Sequence, residues 1–397
     1  MVTVPTNATI ELLERLVALD STSAVSNLPV LDACEQLLGA AGAVTERVAA
    51  PTSDHFGQPQ PPKAGLLARI GPDMPGGVVL SGHTDCVPVE GQPWTTDPFV
   101  LTERDATLVG RGTTDMKGFL AAALSVAAPA AAGAALVRPL WFLLTWDEEV
   151  GTIGAGPMTD ALLARTQPRA AIVGEPTSMR PAVAHKGVRS FRVTVTGREG
   201  HSSKPQLFAN ALVAASRIVC QADDVATELR EEAADGRFDP PYTTFGMTIM
   251  RSGTAVNIIP REATLAMEYR PIPRDDSWAL GDDIEAWARA HVLPGLRATA
   301  PESEISFDRG PLVQGLSPEE AGAAESLVRE LTGFTGPAGL VPFGTDGGWH
   351  QAGGISTVVC GPGAIEQAHQ PDEWITPSEL ASCETMLTTL VTNLEHA

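Results

Sequence analysis

The sequence predicts an α/β protein with a mainly parallel sheet, interrupted by a smaller α+β domain. Short, continuous apolar runs, LLARI, VVLSGH, LWFLLTW, AAIVG and, far downstream, TVVCG, alternate with helical stretches, as strands covered on both faces do. From about residue 187 to 305 the style changes to FRVTVTG, YTTFGMTIM and ATLAMEYR, with long polar helices around 208–234 and 277–291. That alternation suits a sheet with one wet face. Because TVVCG returns to the first style, the middle block reads as an insertion. One domain is expected from residues 1–186 and 306–397 and a second from 187–305, and a length of 397 residues fits two cores.

Taken in order, MVTVPTNATIELLERL has no basic start followed by an apolar stretch, so it reads as an amphipathic helix after a polar lead-in and not as an export signal. GFLAAALSVAAPAAAGAALV, residues 118–137, is uncharged over the length of a membrane span. It is mostly alanine and contains Pro129 and Gly133, so it reads as a core helix packed on a sheet, with no membrane partner. The net charge of −21, from 48 acidic against 27 basic side chains, excludes a broad electrostatic grip on nucleic acid or anionic membrane. Five widely spaced cysteines form neither a disulfide framework nor a CxxC metal knuckle, which fits a reducing, cytoplasmic setting.

The chemistry is legible in where acidic and histidine residues fall. VVLSG leads into His83-Thr84-Asp85, LWFLLTW into Asp147-Glu148-Glu149, AAIVG into Glu175 and TVVCGPGAIEQA into His369, while Asp115 lies in GRGTTDMKG ahead of the alanine-rich helix. The carboxyl edge of an open α/β sheet is where ligands bind. Any one of these residues alone is an ordinary cap or surface charge; five positions at one edge are not. His83 and Asp85, two apart in extended chain, point the same way, so Asp85 is expected to hold the far nitrogen of His83 while the near one binds metal. Adjacent Glu148 and Glu149 point apart, one to ligate and one to face substrate. Two divalent ions carry +4, which Asp115, Glu149, Glu175 and a hydroxide balance. Mixed His and carboxylate ligation without Cys favours catalytic zinc, cobalt or manganese. His55, His291, His350 and His396 lack such context and read as ordinary polar residues.

SGHTDCVP, WTTDPF, GRGTTDMKG, TWDEEVGTIGA and GEPT together resemble the signatures of the metal-dependent acylases and peptidases that include acetylornithine deacetylase, succinyl-diaminopimelate desuccinylase and aminoacylase. The likeness runs from the first helix to the last. It implies two divalent metal ions, zinc before cobalt or manganese, with His83 and Glu175 on one, Glu149 and His369 on the other and Asp115 as the bridge. Glu148 is then the general base and Asp85 the partner of His83. The middle block resembles the family's ferredoxin-like dimerisation, or lid, domain, so a homodimer is expected. In GREGHSSKP, His201 would reach the partner chain's site to stabilise the oxyanion, a role typically worth ~3 kcal/mol of barrier. Asn257, Arg270, Gly344 and Thr345 are expected at the substrate, Arg270 as a planar fork for a carboxylate.

LDSTSAVSNLP, AHKGVRSFRVTVTGREGHSSKP and GPGAIEQAHQPDEWI are similar to acetylornithine deacetylases more than to desuccinylases. The resemblance therefore implies deacetylation of the small molecule N-acetyl-L-ornithine, a step of arginine biosynthesis. FGTDGGW, residues 343–349, departs from the run that close relatives carry after Gly-Thr. The alternatives are a related amidohydrolase acting on another N-acyl amino acid, such as succinyl-diaminopimelate or acetylcitrulline, or on a dipeptide, and a non-catalytic metal-binding relative. Neither GRGTTDMKG nor GPGAIEQ matches a dinucleotide fingerprint, and no P-loop is present.

Overall fold

The structure is a computed structural model that describes residues 4–53, 58–133, 135–231, 235–276 and 278–396; His55 lies outside the described residues. The chain divides into two compact units, Met1–His185 with Leu316–Ala397, and Lys186–Gly315.

The first unit is built on an eight-stranded sheet in the order Val44–Ala49, Ala64–Ile70, Leu140–Thr145, Val78–His83, Ala170–Pro176, Thr357–Gly361, Ala182–Ala184 and Gly339–Leu340. Its centre, from Leu140–Thr145 to Thr357–Gly361, is parallel. Every residue of these four strands is buried, because helices cover both faces and an alternating pattern would put polar groups in a core. Successive side chains serve opposite cores: Val78, Leu80, Phe142 and Ile172 join the packing around the alanine-rich helix, whereas Val79, Trp141, Leu143 and Ala171 pack with Met158 and Leu162 of the helix Ala155–Leu163.

The LLARI strand departs from the parallel expectation. Ala64–Ile70 runs antiparallel to both neighbours, since the loop Gly71–Gly77 that follows is too short to carry a crossover helix. The N-terminal helix forms over Asn7–Val17, with the Thr6 side chain accepting from the amide of Thr9. The alanine-rich segment is two helices, Lys117–Ser125 and Ala127–Ala132. Pro129 has no N–H for the carbonyl of Ser125 and its ring crowds that carbonyl, so the helix breaks at Val126. Among the described residues no helix is long and apolar enough to cross a membrane. The small side chains bring the first of these helices close to the sheet: a Cβ on Gly174 would lie 1.9 Å from the Phe119 ring.

The second unit has a four-stranded antiparallel sheet in the order Thr244–Ser252, Glu262–Arg270, Val188–Thr196 and Glu304–Val313, with helices Ala211–Glu231 and Ala279–His291. In chain order this is the βαββαβ arrangement of ferredoxin-like domains. Burial alternates along the two inner strands, and Phe191, Val193, Val195, Leu265 and Met267 pack against Ile218 and Ile284 of the helices. The fourth strand starts at Glu304 and runs past the expected end at 305. Asp308-Arg309-Gly310-Pro311 hides it in the sequence, and the register shifts between Arg309 and Leu312 to accommodate that run.

Candidate metal centre

His83 closes the strand Val78–His83 and is buried. Its Nδ1 donates to the main-chain carbonyl of Asp85 at 2.9 Å, which turns Nε2 towards Asp115 Oδ1 at 2.9 Å and Glu175 Oε1 at 3.7 Å. The expected bond from the Asp85 carboxylate is therefore replaced by one from its carbonyl; the carboxylate lies 3.8 Å from Nδ1. It instead accepts the main-chain N–H groups of Glu148 at 3.1 Å and Glu149 at 3.3 Å and the Ser23 hydroxyl at 2.8 Å. Asp85 orients the Glu148-Glu149 turn. The sequence spacing could not show this, because it gave the direction of the side chain without the loop that folds back over it.

Asp115 faces both ways. Its second oxygen lies 3.1 Å from His369 Nε2, which in turn lies 3.0 Å from Glu149 Oε2. Two groups result, His83 with Asp115 and Glu175, and Asp115 with Glu149 and His369, each with its ligand atoms within 4.8 Å of one another and with Asp115 common to both. His369, in the left-handed backbone region at φ 59°, has a side chain 49% exposed and is the open side of an otherwise buried cluster.

The electrostatics fit cations. Glu149 Oε1 and Glu175 Oε1 are buried with no hydrogen-bond partner, a costly state for a carboxylate unless an ion completes it. Burial pushes the Glu148 and Glu175 carboxyls well above their ordinary range, and burial with the Asp115 charge brings Glu149 up to about 7. Burial opposes charge on His83, but Asp115 and Glu175 outweigh it and hold its pKa well above the usual value, while hydrogen bonds to Asp115 and Glu149 raise His369 to about 10. Burial works against the Asp115 charge too, yet the two histidines hold that carboxyl below the usual range. Without ions the cluster gathers protons where positive charge is wanted. Nitrogen and carboxylate donors without sulfur suit zinc, cobalt or manganese.

Residues 79–393 match the family model described as peptidase family M20/M25/M40. The chain belongs to this family. As an M20 protein it is a metal-dependent hydrolase of the amidohydrolase and peptidase type. It is 36% identical over 378 residues to acetylornithine deacetylase of Myxococcus xanthus, covering 94% of each chain, and 34% identical over 345 residues to that of Photorhabdus laumondii, covering 84% of each. Its fold resembles that of a Staphylococcus aureus tripeptidase, with a TM-score of 0.71 at 18% identity over 100% of both chains. A Bacillus subtilis dinuclear metal binding peptidase of the M20 family gives 0.61 at 16% identity over 98% of each.

The remaining expected residues divide between the two units. Thr345 is fully buried; its hydroxyl accepts the Gly347 N–H at 3.0 Å and meets His185 Nε2 at 3.0 Å. That geometry gives Thr345 a role in shaping its loop and leaves its hydroxyl engaged. Gly344 beside it is half-buried. His201, Asn257 and Arg270 belong to the second unit. His201 is exposed, and its Nδ1 accepts the Ser203 main-chain N–H at 3.2 Å, which assigns the ring proton to Nε2. The Asn257 carbonyl accepts from Ser202 N–H at 3.0 Å, and Arg270 donates to Glu268 at 2.9 Å.

Three groups near the centre escaped sequence reasoning. Buried Lys63 pairs with Asp147, next to Glu148, and donates to the Ser23 carbonyl. Asp346 is buried, accepts the Thr145 hydroxyl at 2.6 Å and keeps an unpartnered oxygen; burial raises its carboxyl to about 6. His350, read as an ordinary polar residue, is fully buried between Ser81 and Thr159 at 2.8 Å each. None carries a spacing signal, since each partner lies far away in sequence.

Proposed function

We propose that the chain deacetylates N-acetyl-L-ornithine, releasing L-ornithine and acetate. The observation that supports this most strongly is its end-to-end likeness to chains named acetylornithine deacetylase, joined to two carboxylate-histidine clusters that share Asp115.

In this reading His83 and Glu175 hold one divalent ion, Glu149 and His369 the other, and Asp115 both. Two such ions, zinc or else cobalt or manganese, supply an acidified water and a polarised acyl carbonyl. Glu148 takes a proton from the attacking water and gives it to the leaving amine. Asp85 aims Glu148 through the main chain. His201, with its proton on Nε2, donates to the tetrahedral oxyanion, and Arg270 and Asn257 bind the substrate's polar groups.

The second unit is the dimerisation domain in this reading. Its edge strand Thr244–Ser252 leaves Ile249 and Met250 exposed, and Leu212 and Val213 are exposed on Ala211–Glu231; an unpaired, apolar edge favours a second copy. A cytoplasmic setting agrees with five free cysteines, four of them buried.

The test is acetate or amine release by the metal-loaded protein over a panel of N-acetyl-L-ornithine, N-acetyl-L-citrulline, N-succinyl-diaminopimelate and dipeptides. The highest kcat/KM is expected on N-acetyl-L-ornithine; a higher value on another member overturns the substrate. His201→Ala mixed with Glu148→Gln should recover activity in mixed dimers, and no recovery removes the shared site.

A further inference from the structure

Two residues of the first cluster stand on the sheet, whereas the shared Asp115 and the rest of the second hang from loops. His83 and Glu175 lie at the ends of parallel strands that hydrogen-bond to their neighbours. Asp115 and His369 lie in loops, and a buried cation ties those loops together. Arg111, with no exposed surface, donates from Nη1 to Glu373 Oε2 at 2.7 Å and from Nη2 to Gln92 Oε1 at 2.5 Å, and its guanidinium lies 5.1 Å from the Trp94 ring centroid.

Each partner of Arg111 reaches one ligand through the main chain. The Glu373 carboxylate accepts the N–H groups of Gly112 at 3.0 Å, Thr114 at 2.8 Å and Asp115 at 3.0 Å. The Gln92 amide donates to the carbonyl of His369 at 3.2 Å, where the backbone holds its unfavourable positive φ. Asp372 adds a staple, accepting the Thr95 N–H at 2.9 Å and hydroxyl at 2.5 Å.

We infer that Arg111, Glu373 and Gln92 form a brace that positions Asp115 and His369 and so governs the cation held between Glu149 and His369. The inference rests on reading the two clusters as cation sites. These three are positioning residues, since none belongs to either group of side chains that could hold an ion. Loss of such support typically weakens metal affinity by about 10- to 100-fold. The cation between His83 and Glu175 keeps its strand-borne ligands and feels only the change at Asp115.

The deciding experiment titrates metal-free full-length protein with cobalt(II), following heat and visible absorption, for the parent, Glu373→Gln and Gln92→Met. Near-UV circular dichroism of each metal-free form checks the fold. The parent should take two equivalents. Gln92→Met, a half-buried position that leaves Glu373 in place, should bind one equivalent as the parent does and the other at least ten-fold more weakly; Glu373→Gln should show a larger loss. If Glu373→Gln does not fold, Gln92→Met decides. Two equivalents in Gln92→Met within three-fold of the parent, or equal weakening of both, overturns the brace. A parent that takes no cobalt overturns the cation reading itself, a separate and recognisable failure.

Discussion

The carboxylate of Asp85 accepts the main-chain N–H of Glu148 at 3.1 Å, so the base is aimed through its backbone. Asp85→Ala leaves that amide and the amide of Glu149 without their acceptor. Turnover and metal affinity should each fall by about 10- to 100-fold, with Asp85→Asn intermediate because it keeps one oxygen. Steady-state kinetics and chelator competition measure both, and parent-like values in Asp85→Ala would remove the orienting role.

Glu148 makes the sharpest catalytic prediction. Glu148→Gln keeps the side chain's size and removes its proton affinity, so kcat should drop by about 10²- to 10⁴-fold while cobalt uptake and Tm stay at the parent's level. Retained turnover would assign the base elsewhere.

Cation binding should release protons. In the metal-free protein Glu149 titrates at about 7 and His369 at about 10, and both must be deprotonated to ligate. Uptake in weakly buffered solution at pH 7 should therefore acidify the medium, and affinity should fall as pH is lowered. Chelation should abolish activity and lower Tm, since an ion at 1,000 times its Kd stabilises by about 4 kcal/mol. A pH-independent affinity would contradict these assignments.

His350 predicts an acid-sensitive fold. Burial lowers its pKa from 6.5 to about 4, so the unfolded chain takes up a proton that the folded chain refuses. This contribution is fully present above pH 6.5 and is lost as pH falls towards 4, with an upper bound of roughly 3 kcal/mol. Thermal melts of metal-free parent and His350→Gln at pH 7 and 5 isolate it: the parent should lose more Tm. Equal losses would show that His350 does not control the acid response.

Much of the fold was legible because buried parallel strands must be apolar on both faces. VVLSGH, LWFLLT, AAIVGEP and TVVCG therefore stand out, as does the wet-faced alternation of the second unit. His83 and Glu175 were legible because strand ends deliver them, whereas Asp115, Glu149 and His369 stand on the loops that follow or join strands. The supports were not: Glu373 meets Arg111 across 262 residues, Gln92 meets His369 across 277, and Lys63 reaches Asp147 from 84 residues away. Long-range pairs of this kind leave no periodicity. The partner of the Asp85 carboxylate was misjudged for a related reason, since spacing names a residue without showing which neighbour has already claimed its polar atoms.

Because nothing projects from residue 174, the Phe119 ring rests against the backbone one position before Glu175. The helix that starts two residues after Asp115 is thereby set flush with the strand that carries Glu175. That absent methyl group acts as a depth gauge. A side chain at this position would jack the helix off the sheet and with it the loop that carries Asp115, so the spacing of the cluster depends on an atom that is not there.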